Sequence, residues 1–143
     1  MDVMEAFERM PFNDHLGIEL LEAEDGRAVG RLELAAEHSS NPETLIAHGG
    51  VTYALADTVS GAAAVSVNRG VTPTVDMRID YLAPATNGEL LAEASLVRNG
   101  DGVATVEIEV TDGDGTAVAM ANGTYKTDGG EGGGAWREDD STE

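Results

Sequence analysis

The chain has 143 residues, enough for one domain with its own core, and it carries 27 aspartates and glutamates against 8 lysines and arginines, a formal charge of −19. A balance so acidic argues against nucleic acid or an anionic membrane as partner, since either requires a basic patch. No cysteine is present, which excludes disulfides, thiolate metal sites and cysteine nucleophiles.

The acidic residues are spread along the chain, a pattern expected of a cytoplasmic protein in a salt-loaded cell, where ionic strength screens self-repulsion. The opening Met1-Asp2-Val3-Met4-Glu5 has neither the basic nor the apolar region of a signal peptide, so none is expected. The spacing of Val3, Phe7 and Met10 predicts a short amphipathic helix over residues 3–10, ended before Pro11. Residues 17–24 and 27–36 read as two strands joined by the hairpin signal Asp25-Gly26. A polar loop over 37–47 leads into His48-Gly49-Gly50 and a long helix to residue 67, which Asn68-Arg69-Gly70 closes with Gly70 as its C-terminal glycine. Strands follow at 74–82, 89–98, 103–111 and 116–126, separated by turns such as Asn99-Gly100-Asp101-Gly102 and Asp112-Gly113-Asp114-Gly115. The strand at 74–82 alternates Val75, Met77, Ile79 and Tyr81 with Thr74, Asp76, Arg78 and Asp80. Residues 1–126 form the expected domain. An acidic, glycine-rich tail over 127–143, with Trp136 its one large apolar residue, is expected to be disordered because it cannot bury apolar surface. The order is α+β: one long central helix under a curved antiparallel sheet of about six strands. Such a sheet cannot cover every face of the helix, so a second subunit is expected to complete the burial.

The helix carries the chemistry. From Val51 to Val67 it is small and apolar nearly all round, and its only carboxylate is Asp57. A carboxylate in such a setting must be hydrogen-bonded, paired or used, because leaving it unsatisfied costs several kcal/mol. Free N–H groups at the helix start, with glycines allowing close approach, can polarise a carbonyl. Asp57 opposite such a carbonyl can activate water as a general base or attack directly, which together describe acyl transfer to water. At 1.5 Å per residue, Asp57 lies roughly 12–14 Å along the axis from His48 and Gly49. The groups cannot meet within one helix, but they can meet if two such helices pack antiparallel about a two-fold axis.

The run from Leu45 to Ala85, with His48-Gly49-Gly50, Ala54-Leu55-Ala56-Asp57-Thr58, Thr74-Val75-Asp76-Met77 and Tyr81-Leu82-Ala83-Pro84-Ala85, resembles the hotdog-fold thioesterases of the phenylacetate-pathway (PaaI) type. The likeness extends over roughly residues 5–126. It implies hydrolysis of acyl-CoA thioesters, aryl or medium-chain, by a dimer of hotdogs assembled into a tetramer, with no metal and no cofactor. By the same resemblance Asp57 is the base or nucleophile, the Gly49 N–H binds the thioester oxygen, and Thr74 orients water. The family usually places an asparagine where this chain has Pro42. Asn41 lies one residue further upstream, behind one extra loop residue, and is the candidate for that carbonyl or water contact.

His48, Gly50 and Tyr53 are candidates for orienting or binding substrate, and Arg69 and Arg98 for binding the CoA phosphates. Each has a structural alternative: Asp57 as a hydrogen-bonded helix residue, Gly49 as a turn glycine, His48 as an anchor of the helix start, Thr74 as an ordinary strand residue, Asn41 as a plain turn residue, the arginines as structural cations. His15 and His38 are expected on the surface or in loops. A dehydratase acting on 3-hydroxyacyl thioesters and a non-catalytic acyl-CoA binding protein remain open as other functions of the same fold.

Overall fold

The computed structural model describes residues 2–127. The order is α1 (Val3–Glu8), α2 (Pro11–Leu16), β1 (Ile18–Glu24), β2 (Arg27–Glu33), a single 3-10 turn (Ala36–His38), α3 (Gly49–Asn68), β3 (Thr74–Tyr81), β4 (Glu89–Asn99), β5 (Val103–Thr111) and β6 (Ala117–Lys126). All six strands pair antiparallel in one sheet of order β1-β2-β4-β5-β6-β3, with α3 packed along its concave face. This is the hotdog fold.

Local chemistry sets the element ends. Asp2 caps α1 by accepting the Glu5 N–H, and Pro11 stops that helix while starting the next. The sequence reading has no counterpart to α2. Its marks are a proline at the first helical position and Gly17 in the left-handed region at its end (φ 84°), on a segment too short for periodicity to register. The β1–β2 turn has both Asp25 (φ 53°) and Gly26 (φ 83°) at positive φ, as a two-residue hairpin matched to strand twist requires. The Gly26 N–H then donates to Ser66 Oγ at 2.8 Å, tying the hairpin to α3. At the far end of α3 it is Arg69, not Gly70, that adopts the left-handed conformation (φ 61°). Its N–H reaches Val65 O, and the Asn68 side chain donates both to Ala64 O and to Asn99 Oδ1, so the turn is fixed one residue earlier than glycine placement suggests. The 127–143 tail falls outside the described residues except for Thr127, whose hydroxyl donates to the carbonyls of the β4–β5 turn.

Leu55, Val59, Ala62, Ala63 and Ala64 of α3 are fully buried against Leu32, Leu90, Ala92, Val106 and Val110 of the sheet. Small side chains let the sheet approach the helix closely. The tightest place is Gly30 of β2, where a Cβ would stand 2.5 Å from Val59 Cγ2. Gly30→Ala should therefore lower stability by about 1–3 kcal/mol in urea unfolding at high KCl. Adding Val59→Ala should recover part of that loss, a coupling above about 0.5 kcal/mol between the two sites. Strictly additive losses would show that the contact is not tight.

Candidate functional site

Asp57 sits half-buried in the middle of α3, facing β3 and β6. Two hydroxyls donate to the same carboxylate oxygen: Tyr125 OH to Oδ1 at 2.7 Å and Thr74 Oγ1 to Oδ1 at 2.9 Å. Among the described residues Oδ2 takes no hydrogen bond, so one oxygen is committed to the fold and the other is not. Thr74 is the first residue of β3; Tyr125 lies near the end of β6, its register partner across the sheet. The Tyr125 ring is 1% exposed and fits because Gly123 presents no side chain to it; a Cβ on Gly123 would come within 2.7 Å of Tyr125 Cε1. Tyr125 is the residue that sequence reasoning missed. Nothing local marks it, since the bond to Asp57 spans 68 positions.

His48 is the N-cap of α3. Its Nδ1 accepts the Gly50 N–H at 2.8 Å, which puts the ring proton of the neutral imidazole on Nε2. Its own N–H donates to His38 O. Gly50 is confined by this cap, because a Cβ there would lie 3.0 Å from His48 Nδ1. Gly49 begins the helix. Its N–H is the first of the orphan donors and meets no acceptor among the described residues, while its carbonyl accepts the Tyr81 hydroxyl at 2.7 Å. The Tyr81 ring lies so close that a Cβ on Gly49 would stand 3.2 Å from it. Tyr53 falls between these groups at helical spacing, four residues from each of Gly49 and Asp57, so the three occupy neighbouring positions along one side of α3.

The other candidates lie apart. Asn41 folds into its own turn, its Oδ1 accepting the N–H groups of Glu43 (2.7 Å) and Thr44 (3.1 Å). Arg69 and Arg98 are exposed at the opposite end of α3 from Gly49, about 30 Å away for Arg69 by helical rise. Neither forms an ion pair among the described residues, whereas Arg27, Arg31 and Arg78 are engaged by Glu22, Glu93, Glu19, Glu89 and Asp80. His38 lies in the connection between β2 and α3 but is buried rather than on the surface: Ala35 N–H donates to its Nδ1, and its Nε2 lies 2.8 Å from Leu16 O. No group of three or more metal-binding side chains occurs among the described residues.

Gly49 and Asp57 open into different spaces. Gly49 lines an apolar pocket of about 430 Å³ with Tyr81, Leu82 and Pro84. Asp57 lines a second pocket of about 250 Å³ with Thr74, Tyr125 and residues of α1. The two share no lining residue. By helical rise the eight residues between Gly49 and Asp57 separate them by about 12 Å. Within one chain a donor for an oxyanion and a carboxylate are both present, but they do not face a common point.

The model of the Thioesterase superfamily matches residues 46–119, and the chain belongs to that superfamily. It is 31% identical over 131 residues to the medium/long-chain acyl-CoA thioesterase YigI of Salmonella typhimurium, covering 81% of this chain and 84% of that protein. It is 32% identical over 96 residues to human acyl-coenzyme A thioesterase 13, covering 66% and 67% of the two chains. Among solved structures, a mutant of the phenylacetic acid degradation protein PaaI from Thermus thermophilus superimposes with a TM-score of 0.74 at 34% identity, over 82% of this chain and 98% of the other.

All three tyrosines of the chain belong to this region, and all three phenols have raised pKa values. Loss of water around the phenol is the main cause in each case, at Tyr81 near a hydroxyl held against Gly49 O although much of the side chain is exposed. The charge of Asp57 adds to it at Tyr125, Asp57 and Asp76 at Tyr53, and Tyr53 at Tyr81. A phenol whose pKa is higher folded than unfolded contributes stability that is present below the unfolded value of about 10 and lost as pH rises above it. Tyrosinate absorbance should therefore lag in the native protein at pH about 10 and, for Tyr125, appear only as circular dichroism reports unfolding. Three tyrosines ionising near pH 10 in the folded protein would contradict this environment.

Proposed function

We propose that the protein hydrolyses acyl-CoA thioesters, aryl or medium-chain, to the free acid and CoA, with Asp57 as the acting carboxylate and the Gly49 N–H as the donor to the thioester oxygen. The observation that carries this reading is the division of the site. A free oxyanion donor and a half-satisfied carboxylate lie about 12 Å apart in separate pockets of one chain, which suits two copies related by a two-fold axis, Gly49 of one facing Asp57 of the other. The edge of the sheet supports such an arrangement. β3 has a free side beyond its pairing with β6, and Val75, Tyr81 and Leu82 are exposed along and just after it. Acyl-CoA substrates are also those named for the YigI and human relatives.

In this reading the thioester carbonyl lies against the Gly49 N–H, where the positive end of α3 favours the oxygen as negative charge develops on it. His48 and Tyr81 hold that end of the helix, the first through Gly50 N–H and the second through Gly49 O. The Tyr125 and Thr74 hydroxyls fix Oδ1 of Asp57, leaving Oδ2 to take a proton from water as it attacks, or to attack the carbonyl itself. When water attacks, the tetrahedral intermediate collapses with cleavage of the C–S bond, and the proton taken by Oδ2 passes to the departing sulfur, giving the acid and the CoA thiol. When Oδ2 attacks, loss of CoA leaves an acyl-aspartyl anhydride, which water then hydrolyses to the acid and free Asp57. Tyr53 lies midway between Gly49 and Asp57 on α3, so in the two-copy arrangement it stands beside the two-fold axis, next to both sites, as the candidate for contacting substrate, and Gly50 completes the turn. Asn41 remains a candidate water contact only if its turn opens, and Arg69 and Arg98 are the unpaired cations within the described residues best suited to phosphate at that end of the molecule. A homo-oligomer built on the β3 edge and a cytoplasmic location belong to the same proposal.

The test is thiol release from a panel of acyl-CoA esters in molar KCl, with light scattering to follow assembly. Asp57→Ala should lower turnover by at least about 10²-fold with the oligomer intact. Tyr125→Phe and Thr74→Ala, which leave the carboxylate in place but less well held, should each lose up to about 10²-fold. Activity that survives in Asp57→Ala would move the chemistry to another residue. A folded wild type that hydrolyses no ester would leave the dehydratase or the binding protein.

A further inference from the structure

The pocket that receives Asp57 has two kinds of wall. One is the polar trio of Asp57, Thr74 and Tyr125; another is the N-terminal helix α1 and its exit, through Ala6, Phe7 and Met10. The helix is short, yet it is not loosely placed. Asn13 of α2 is buried, and its Nδ2 donates to Phe7 O at 3.0 Å and lies 3.5 Å from Met10 Sδ. Thr58, the residue after Asp57, donates to Asn13 Oδ1 at 3.4 Å. One buried amide thus latches α1 to the same turn of α3 that carries the carboxylate.

From this we infer that α1 is the specificity-determining wall of the acyl pocket, with Met10 and Ala6 setting the length of acyl group that reaches Asp57. The inference rests on the acyl-CoA reading above and adds to it the element that measures the acyl group. Scale supports a limited ligand. A cavity of about 150 Å³ accommodates benzene, about 25 Å³ per carbon, so the 250 Å³ here holds on the order of eight to ten carbons, or one ring on a short tether. It lies below the ~300–1,000 Å³ usual for drug-sized ligands. A longer chain would have to displace Met10, whose thioether is flexible enough to act as an adjustable stop. Phe7, which is buried in the core, is the fixed part of the wall.

Two substitutions, at exposed Met10 and at Ala6, which is half-buried against the core, change the wall in opposite directions. Met10→Ala lengthens the pocket and Ala6→Leu shortens it. Hydrolysis is measured across hexanoyl-, decanoyl- and tetradecanoyl-CoA, and binding across the matching S-alkyl-CoA thioethers, which cannot be hydrolysed. We expect Met10→Ala to raise the tetradecanoyl-to-hexanoyl ratio of kcat/KM by about tenfold or more, and Ala6→Leu to lower the decanoyl-to-hexanoyl ratio by a similar factor. The thioether affinities should shift the same way. If the wild type hydrolyses esters and neither ratio moves, the wall lies elsewhere and the hydrolytic reading stands. If no ester is hydrolysed but thioether affinity breaks off with length and moves in both variants, α1 measures the ligand of a binding protein. If nothing is hydrolysed and no thioether binds, both readings fall.

Discussion

The carboxylate of Asp57 depends on an unusual packing solution. A helix that is apolar nearly all round has to be enclosed on most faces, and α3 achieves much of this with alanine, glycine and serine at the contact, so that β2, β4, β5 and β6 can close on it. Enclosure leaves an acid group half-buried in its middle. Two hydroxyls, each from a different strand, compensate by donating to a single oxygen. The same closeness leaves space for the Tyr125 ring only because Gly123 faces it. Packing and site are therefore one constraint: larger side chains along α3 would push β6 away and take the Tyr125 hydroxyl out of reach.

The division of labour along α3 follows from helix geometry. Its first turn offers unpaired N–H groups, of which His48 claims that of Gly50 and leaves that of Gly49. Two turns on comes the carboxylate, on nearly the same side. No bend of a straight helix brings these together, so a two-chain site of the kind proposed here would be a consequence of length and pitch rather than an embellishment.

How much of this was legible in the sequence differs by element. Strands β3 to β6 are plain because alternation and glycine-rich turns are local signals, and their limits agree with the reading to within a residue or two. α3 and the oddity of its one carboxylate are legible from composition alone. The α2 turn is not, because six residues carry too little pattern, and neither is the swap of Arg69 for Gly70, which is decided by Asn68 reaching Asn99 on another strand. His38 looks like a loop residue by its neighbours and is buried by a contact with Leu16, far back in the chain. Tyr125 illustrates the general limit. Alternation in β6 gives it a face, but only the register with β3 and the passage of α3 behind it give it a partner. The candidate site is readable where its residues share a segment and hidden where they are joined by topology.

The partnership between Asp57 and Tyr125 also has a bearing on how the chain comes to be made. α3 is made before most of the sheet that buries it: β1 and β2 precede it, and β3, β4, β5 and β6 follow. β3 cannot pair until the last of these arrives, because its sheet neighbour is β6. A nascent chain thus carries a greasy helix and an unpaired strand while β4 and β5 are made, and closure of the sheet requires contacts of long sequence separation, the kind that fold slowly. The final strand supplies both the missing sheet partner and the hydroxyl that steadies the carboxylate. Completion of the fold and maturation of the candidate site are thereby the same event, and a chain stopped short of β6 has neither.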